Sequence, residues 1–197
     1  MSELPLLLAS ASPRRRELLE RVGVPLEVRP AHVDETPQPG ERPEVYVARI
    51  ALAKAAAASR AEGQWVLAAD TTVTIDGAIL GKAETPEEAT AMLERLAGRV
   101  HRVITGYVVT GRIEVGGLAE TEVEFAALDA DAIAGYVASG EWRGKAGAYA
   151  VQGIGAALVR RISGSVTNVI GLPLAEVLAL LQAVGAPGAR LAHGIPV

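Results

Sequence analysis

The chain has 197 residues, and half of them are apolar, which is enough to bury a sizeable core in one large domain or in two lobes that share a core. It contains no cysteine, so disulfides, thiolate metal sites and a cysteine nucleophile are all excluded. Its 19 basic and 23 acidic residues give a net charge of −4, which argues against a nucleic-acid-binding protein unless basic residues gather on one face.

Strands and helices are predicted to alternate along the first half of the chain, a pattern typical of α/β proteins. A proline- and acid-rich loop over residues 30–43 is long enough to be functional. The apolar strand that begins at Trp65 is expected to end in Asp70. Asp76 and Gly77 form the dipeptide most typical of a two-residue hairpin turn. The predicted elements are a strand from Leu6, a helix over residues 14–22, a strand over 25–29, a helix over 43–60 and strands over 65–69, 72–75 and 78–80.

The second half continues the alternation and carries clear signals at its helix ends. Thr85 and Asp129 are expected to cap two helices. Gly116 and Gly117 predict a turn between two strands. The predicted elements are a helix from Pro86 to Gly98, strands over residues 100–110 and 120–126, a helix over 129–139, a hairpin of strands over 156–162 and 165–170, and a helix over 173–184. We expect a single domain over residues 1–197, with a poorly ordered tail over 185–197.

Three arginines, Arg14 to Arg16, fall in the first turn of the first predicted helix, where the positive end of the helix dipole disfavours cations. We therefore expect an anion to bind there. The amides of a helix N-terminus, hydroxyls such as that of Ser10 and planar guanidinium groups together suit a polyphosphate or a carboxylate. The alternative is that Ser12 only caps the helix ahead of Pro13 and that the arginines are solvated.

Two carboxylates and two lysines supply what a polyphosphate substrate with a divalent cation requires. Asp70 is expected at the carboxyl end of a strand, where open α/β sheets bind ligands, although a local turn is the alternative. Glu35, Lys54 and Lys82 would each be ordinary surface residues alone. Together these groups offer oxygens for a hard cation and ammonium groups for phosphate. The three histidines are scattered, so no zinc site is expected, and no Walker A or GxGxxG pattern occurs.

Several segments, taken together, resemble the successive motifs of the Maf-like nucleoside triphosphate pyrophosphatases. The likeness extends over nearly the whole chain, from Leu6 to about Leu181. The segments are Ser10 to Arg15, Val33 to Glu35, Ala48 to Lys54, Ala69 to Thr71, Gly81-Lys82, Lys145 to Gly153, Gly164-Ser165, Asn168-Val169 and Gly171 to Pro173.

The resemblance implies an architecture and a reaction. The architecture is an α/β fold with a mixed twisted sheet, flanking helices and two lobes around a central cleft, similar to the inosine triphosphate pyrophosphatases and commonly a homodimer. The reaction is hydrolysis of a nucleoside triphosphate to the monophosphate and pyrophosphate with a divalent metal cation, Mg²⁺ or Mn²⁺.

The resemblance also implies roles for individual residues. Asp70 matches the family's proton acceptor, and sequence leaves open whether it takes the proton from water or holds the metal that acidifies it. Arg14, Thr71 and Gln152 match the residues associated with base choice, in the combination of the branch that prefers dTTP and UTP. The candidate site residues are Asp70, Lys54 and Lys82 for catalysis, Ser10, Arg14, Arg15, Thr71 and Gln152 for substrate binding, and Glu35 and Asp70 for the metal.

Other functions are kept as alternatives. Within the enzyme class, the alternative is a Maf-type pyrophosphatase for methylated or purine nucleotides. Outside it, the alternatives are a nucleotide-sensing regulator of cell division without turnover and a nucleic-acid-binding module, which the net charge and the few aromatic residues disfavour. No apolar run approaches the ~20 residues of a membrane span, and no basic segment precedes the first apolar run. We therefore expect a cytoplasmic protein with no membrane or nucleic-acid partner.

Overall fold

A seven-stranded mixed sheet runs through the centre of the computed structural model, which describes residues 4–188. The strands are β1 (Leu6–Leu8), β2 (Leu26–Val28), β3 (Val66–Ile75), β4 (Ala78–Leu80), β5 (Val100–Thr110), β6 (Glu114–Phe125) and β7 (Val159–Ser163). Their order is β2-β1-β3-β5-β6-β7, and β4 pairs with β3. β1 is parallel to β2 and β3, whereas the other pairs are antiparallel, so the expected mixed sheet is confirmed.

Within residues 4–188, six helices flank the sheet, and two of them begin at the residues expected to cap them. They are α1 (Pro13–Arg21), α2 (Pro43–Ala57), α3 (Pro86–Leu96), α4 (Ala130–Ala138), α5 (Val166–Ile170) and α6 (Leu174–Val184), with a 3₁₀ turn at Ile154–Leu158. The Thr85 hydroxyl accepts a hydrogen bond from the amide of Glu88, and the Asp129 carboxylate accepts one from the amide of Ala132. Among residues 4–188, no helix is both long and apolar enough to cross a membrane. Residues 189–197 of the predicted tail lie outside the described residues.

One edge of β3 is interrupted, and this interruption positions the site. β1 pairs with β3 at Val66 and Leu67, whereas β4 pairs with it at residues 73–75. On the opposite edge, β5 pairs with β3 along residues 66–74. Within the described part of the chain, no strand therefore covers residues 68–72 on the β1 side, and Asp70 lies in the middle of this gap.

Two apolar cores lie on either side of the gap. One packs Leu67 and Ala69 of β3 against side chains of α1 and α6. The other packs Val73 and Ile75 of the same strand against side chains of α3 and α4. The two cores correspond to the two expected lobes, and the cleft opens between them.

The prediction that the third strand ends in Asp70 is wrong. β3 continues to Ile75, because the residues after Asp70 keep pairing with β5 and are largely buried. The turn predicted at Gly116 and Gly117 is also wrong, since both lie inside β6, which is longer than residues 120–126. A Cβ atom on Gly116 would lie 2.5 Å from the carbonyl oxygen of Tyr107, so glycine allows close approach to β5 rather than a turn.

The hairpin predicted over residues 156–162 and 165–170 is wrong as well. The first segment begins as a 3₁₀ turn and then pairs, as β7, with β6. The second segment is helix α5, which begins because the Ser165 hydroxyl accepts a hydrogen bond from the amide of Asn168. Helix α2 is shorter than predicted and ends at Ala57, where Ala58 takes an extended conformation.

Candidate active site

A cavity of about 650 Å³ opens at the gap in β3. Its walls come from the β1–α1 connection, the loop after β2, the segment after β4, the segment before β7 and the end of α5. Every site residue predicted from the sequence lines this cleft: Ser10, Arg14, Arg15, Glu35, Lys54, Asp70, Thr71, Lys82 and Gln152. The fold therefore brings together residues that lie as far apart as 142 positions in the chain, from position 10 to position 152.

Four charged side chains, Glu35, Lys54, Asp70 and Lys82, form what we call the cleft floor. The ammonium group of Lys54 lies 2.7 Å from Asp70 Oδ1 and 2.7 Å from Glu35 Oε1. Lys82 Nζ lies farther away, 3.9 Å from Glu35 Oε2. The side chains of Lys54 and Asp70 are only 8% and 9% exposed, whereas that of Glu35 is 39% exposed. Lys54 thus bridges one buried and one partly exposed carboxylate.

Helix α2 carries Lys54 to the floor because it packs unusually close to β5. Gly106 of β5 pairs with Asp70, and a Cβ atom on it would lie 2.6 Å from the carbonyl oxygen of Val47 in α2. The absence of a side chain at Gly106 therefore lets the helix backbone lie directly on the sheet. The Tyr46 hydroxyl donates a hydrogen bond to the carbonyl oxygen of Glu35 and holds the long loop against the same helix.

The electrostatics of the floor favour the ionised form of Glu35. Burial raises the pKa of Glu35, but the hydrogen bond from Lys54 and the charges of Lys54 and Lys82 outweigh it, so the pKa lies below its ordinary value. Burial raises the pKa of the nearby Tyr46 to about 12, and the charges of Asp70 and Glu35 add to this effect. At neutral pH the floor therefore carries the charged carboxylate of Glu35 beside a neutral phenol.

The floor has the donor set of a magnesium-type site that shares its cation with a substrate. The described residues contain no cluster of three or more His, Cys, Asp or Glu side chains that could hold a metal alone. Mg²⁺ is commonly bound by one or two carboxylates together with substrate phosphates. Lys54 contacts one oxygen of Asp70 and one of Glu35, which leaves a second oxygen on each for a hard cation. The residues present fit such a metal.

Arg15 is buried and forms a clamp between three parts of the chain. Its guanidinium group donates to the Gly171 carbonyl oxygen at 2.8 Å, to Ser10 Oγ at 3.0 Å and to Thr71 Oγ1 at 2.9 Å. Burial lowers the pKa of Arg15, and the charge of Asp70 partly offsets this. Because the N–H groups of Arg15 bond to other parts of the protein, Arg15 holds the cleft wall together as well as lining the cleft.

The other two arginines of the first helical turn have different surroundings. Arg14 lines the cleft, and its Nε donates to the Ile170 carbonyl oxygen at 3.3 Å. Arg16 is exposed and lies 3.5 Å from the carboxylate of Glu20, outside the cleft. Ser12 occupies the cap position of α1, but its side chain makes no capping hydrogen bond.

Residues of the segment 144–152 form another wall of the cleft. Gly147, at φ +66°, lies directly on Val73, and its amide donates to the carbonyl oxygen of Gly81 beside Lys82. Tyr149 is buried in this wall, and its hydroxyl lies 2.8 Å from Nε2 of His101. Burial lowers the pKa of His101 to about 4, so this support is uncharged at neutral pH.

Gln152 is exposed at the tip of this wall, in a bend over residues 150–155 that we call the Gln152 turn. By contrast, the hydroxyl of Thr71 lies within 3.2 Å of hydrogen-bonding atoms of Arg15, Thr105 and Gly171. Of the residues expected to choose the base, Gln152 is therefore free to reach a ligand, whereas Thr71 is engaged by the protein.

Two residues near this wall were missed as candidates in the sequence. Lys145 lines the cleft, and burial together with the nearby charge of Arg14 lowers its pKa. Lys145 adds a cation to the cleft lining. The sequence feature that could have identified it is its place at the start of the segment Lys145 to Gly153, which is one of the segments that resemble the family motifs. Glu141 lies outside the cleft lining but binds the Gln152 turn through two backbone amides, which no local pattern indicates.

Comparison with known proteins agrees with this geometry. Residues 5–184 match the family model of the Maf-like proteins. The chain belongs to the Maf-like family. A Maf-like relative from Myxococcus xanthus (strain DK1622), named dTTP/UTP pyrophosphatase, is 52% identical over 183 residues, which cover 92% of this chain and 93% of the relative. A second relative of the same name, from Anaeromyxobacter sp. (strain Fw109-5), is 50% identical and is covered to 90%.

A solved structure of much lower sequence identity has the same fold as this Maf-like chain. A Ham1 protein from Coxiella burnetii superposes with a TM-score of 0.54 at 18% sequence identity. The match covers 91% of this chain and 99% of the Ham1 protein. It supports the expected architecture and carries no information about substrate.

Proposed function

We propose that this Maf-like protein hydrolyses dTTP and UTP to the corresponding monophosphate and pyrophosphate. The observation that carries the proposal is the cleft floor, where Lys54 bridges Asp70 and Glu35 at 2.7 Å inside a cavity with further cations on its walls. Two relatives of at least 50% identity over about nine-tenths of their length carry the name of this activity.

The reaction places negative charge where the cleft holds positive charge. Water attacks the α-phosphorus and pyrophosphate leaves, so charge develops on the equatorial and leaving oxygens. Lys54, Lys82 and Arg14 line the cleft, and we assign them to stabilising this charge, so that catalysis would rest mainly on their placement. Arg15 keeps Ser10 and Thr71 in place on the same wall.

Asp70 is the group we assign to the attacking water. Its carboxylate is buried at the floor, where it can accept the proton of water or help to hold the cation. A divalent metal, Mg²⁺ or Mn²⁺, held by Asp70 and Glu35, would neutralise phosphate charge and acidify the water. Both roles require the carboxylate charge.

Gln152 is the group we assign to the base. Thymine and uracil present a carbonyl acceptor beside an N–H donor, and a side-chain amide can pair with both. Cytosine reverses donor and acceptor, so it fits only if the amide turns over. Gln152 lies on an exposed turn in the cleft wall, and Arg14 lies on the wall formed by α1.

A release assay tests this proposal directly. The purified protein is incubated with dTTP, UTP, dCTP, dATP and dGTP, with and without MgCl₂ or MnCl₂, and pyrophosphate and monophosphate are measured separately. We expect pyrophosphate without inorganic phosphate, metal dependence and the highest kcat/KM on dTTP and UTP. A preference for purine triphosphates would replace the proposed substrates, and binding without turnover on any nucleotide would identify a nucleotide sensor.

The resemblance to the family further supports a cytoplasmic homodimer, which we also propose. Sedimentation analysis of the purified protein at micromolar concentration tests this assembly. A monomer under these conditions would contradict it.

A further inference from the structure

The carboxylate of Glu141 is bound at the start of the 3₁₀ turn that follows Gln152. Its Oε2 accepts a hydrogen bond from the amide of Ile154 at 2.9 Å. Its Oε1 accepts one from the amide of Gly155 at 2.8 Å and one from the Tyr136 hydroxyl at 3.2 Å. Both oxygens are therefore engaged, and the carboxylate connects α4 to the Gln152 turn.

Packing at Gly153 shows how closely the carboxylate fits under the turn. A Cβ atom on Gly153 would lie 1.9 Å from Glu141 Oε2, which is far inside contact distance. A larger residue at Gly153 would therefore have to displace the Glu141 carboxylate or move the turn. The carboxylate thus lies against the residue that directly follows Gln152.

The carboxylate of Glu141 is ionised at neutral pH. Burial raises its pKa, but the hydrogen bonds from Gly155, Ile154 and Tyr136 outweigh this and leave the pKa below its ordinary value. Hydrogen bonds to a charged acceptor are stronger than those between neutral groups. The Gln152 turn is therefore anchored by charge-assisted bonds, although Gln152 itself is exposed.

We propose that Glu141 is a positioning residue for base recognition, because it fixes the direction in which the Gln152 amide is presented to the base. This inference rests on the proposed function, in which Gln152 contacts thymine or uracil. A loosely held turn would let the whole Gln152 side chain shift away from the place where its amide pairs with thymine or uracil. Anchoring of the backbone at Ile154 and Gly155 by Glu141 keeps the side chain at that place and so raises the preference for dTTP and UTP over dCTP.

Glu141→Gln tests the proposal with almost no change in side-chain shape. One oxygen becomes an NH₂ group, so one backbone amide of Ile154 or Gly155 faces another donor. We expect KM for dTTP to rise roughly tenfold with kcat unchanged, and dCTP kinetics to change less than about twofold. Glu124→Gln is the matched control, because Glu124 pairs with Arg160 and Arg161 outside the cleft.

A second variant keeps the proposal testable if Glu141→Gln does not fold. Gly153→Ala keeps the carboxylate but forces it or the turn to move, so it should lower the dTTP preference in the same way. Thermal unfolding of each variant shows whether it is folded. If Glu141→Gln does not fold, the substrate ratio of Gly153→Ala decides the question.

The double variant Glu141→Gln/Gln152→Ala separates positioning from a general structural role. We expect Glu141→Gln to have no further effect on dTTP once Gln152 is truncated. Equal losses on dTTP and dCTP, or an undiminished loss in the double variant, would overturn the inference. If Gln152→Ala alone leaves the substrate ranking unchanged, base reading by Gln152 fails and the inference fails with it. A clear Gln152 effect beside a silent Glu141→Gln would overturn the inference alone.

Discussion

The cleft floor and the Gln152 turn face the same cavity but are built in opposite ways. Two side chains of the floor, both buried, come from long regular elements: Lys54 from the last turn of α2 and Asp70 from the middle of β3. The turn is an exposed bend, and its backbone amides are anchored by the carboxylate of Glu141. Regular elements hold groups more precisely than loops do, whereas loops tolerate variation.

This difference separates the reaction from the selection of substrate. The α-phosphate and the leaving pyrophosphate are the same in every nucleoside triphosphate, so the groups that act on them need one fixed arrangement. The base differs between substrates, and Gln152, which we propose to read it, lies on a turn whose position a few hydrogen bonds determine. Changes in the floor should therefore lower turnover of all substrates, whereas changes in the turn should alter their ranking.

The largest effect is expected for Asp70→Asn, which removes the charge needed for proton or metal work with little change in shape. We expect loss of more than ninety per cent of kcat, about 1.4 kcal/mol or more in barrier height, on dTTP and dCTP alike. Pyrophosphate release measures this, and circular dichroism checks that the fold is intact. Asp76→Asn, in the exposed hairpin turn, is the matched control. Retention of more than about a tenth of wild-type kcat would rule out the assigned role.

Lys54→Met should weaken both the activity and the stability of the floor. It leaves the buried carboxylate of Asp70 next to Glu35 without the ammonium group between them. Breaking a buried ion pair on one side typically costs about 3 kcal/mol. Urea denaturation without metal should show this loss, and Lys54→Met/Asp70→Asn should recover part of it. Unchanged stability of the single variant would mean that solvent already screens the pair.

Arg15→Ala should reduce triphosphate affinity and turnover together, because it removes a cleft cation and releases Ser10 and Thr71 at once. We expect a loss of roughly tenfold or more in kcat/KM for every nucleotide, since removal of buried hydrogen-bond partners adds to the loss of charge. Steady-state kinetics measure it. Arg16→Ala, from the exposed side of the same helical turn, should behave like the wild type. Equal behaviour of the two variants would make Arg15 an ordinary helix residue.

Gln152→Ala should have the smallest effect on turnover and the clearest effect on the order of preference among nucleotides. We expect kcat/KM for dTTP to fall by the equivalent of ~1 to 3 kcal/mol, because only the matched base loses hydrogen bonds that it was making. The value for dCTP should stay near that of the wild type, so competition assays with both substrates should show a flattened preference. Equal losses on both would show that Gln152 supports the wall without touching the base.

Local signals in the sequence were sufficient for the helix caps and for the alternating architecture. Thr85 and Asp129 cap helices as expected, since a hydroxyl or carboxylate before a helix acts on amides only two or three residues away. Asp76 and Gly77 both have the positive φ angles that a tight hairpin turn requires. Interactions between residues so close in the chain can be predicted from a short stretch of sequence.

The errors arose where distant parts of the chain decide the structure. Gly116 lies inside a strand because the neighbouring strand approaches too closely for a side chain, and nothing adjacent in sequence indicates this. Asp70 lies in mid-strand because the residues after it keep pairing with β5, which is far away in sequence. The bridge from Lys54 to both carboxylates likewise depends on the close packing of α2 on Gly106.

Strands β3 and β5 contribute side chains to both apolar cores, through Val73 and Val103 on one side and Leu67 and Val109 on the other. Neither core can come apart without exposing the strands that the other needs. We therefore expect heat to melt both cores in one cooperative transition, with slow hydrogen exchange along the shared strands. We therefore expect the strand that carries Asp70 to stay rigid. The movements that admit or release a nucleotide should then occur in the cleft walls around it.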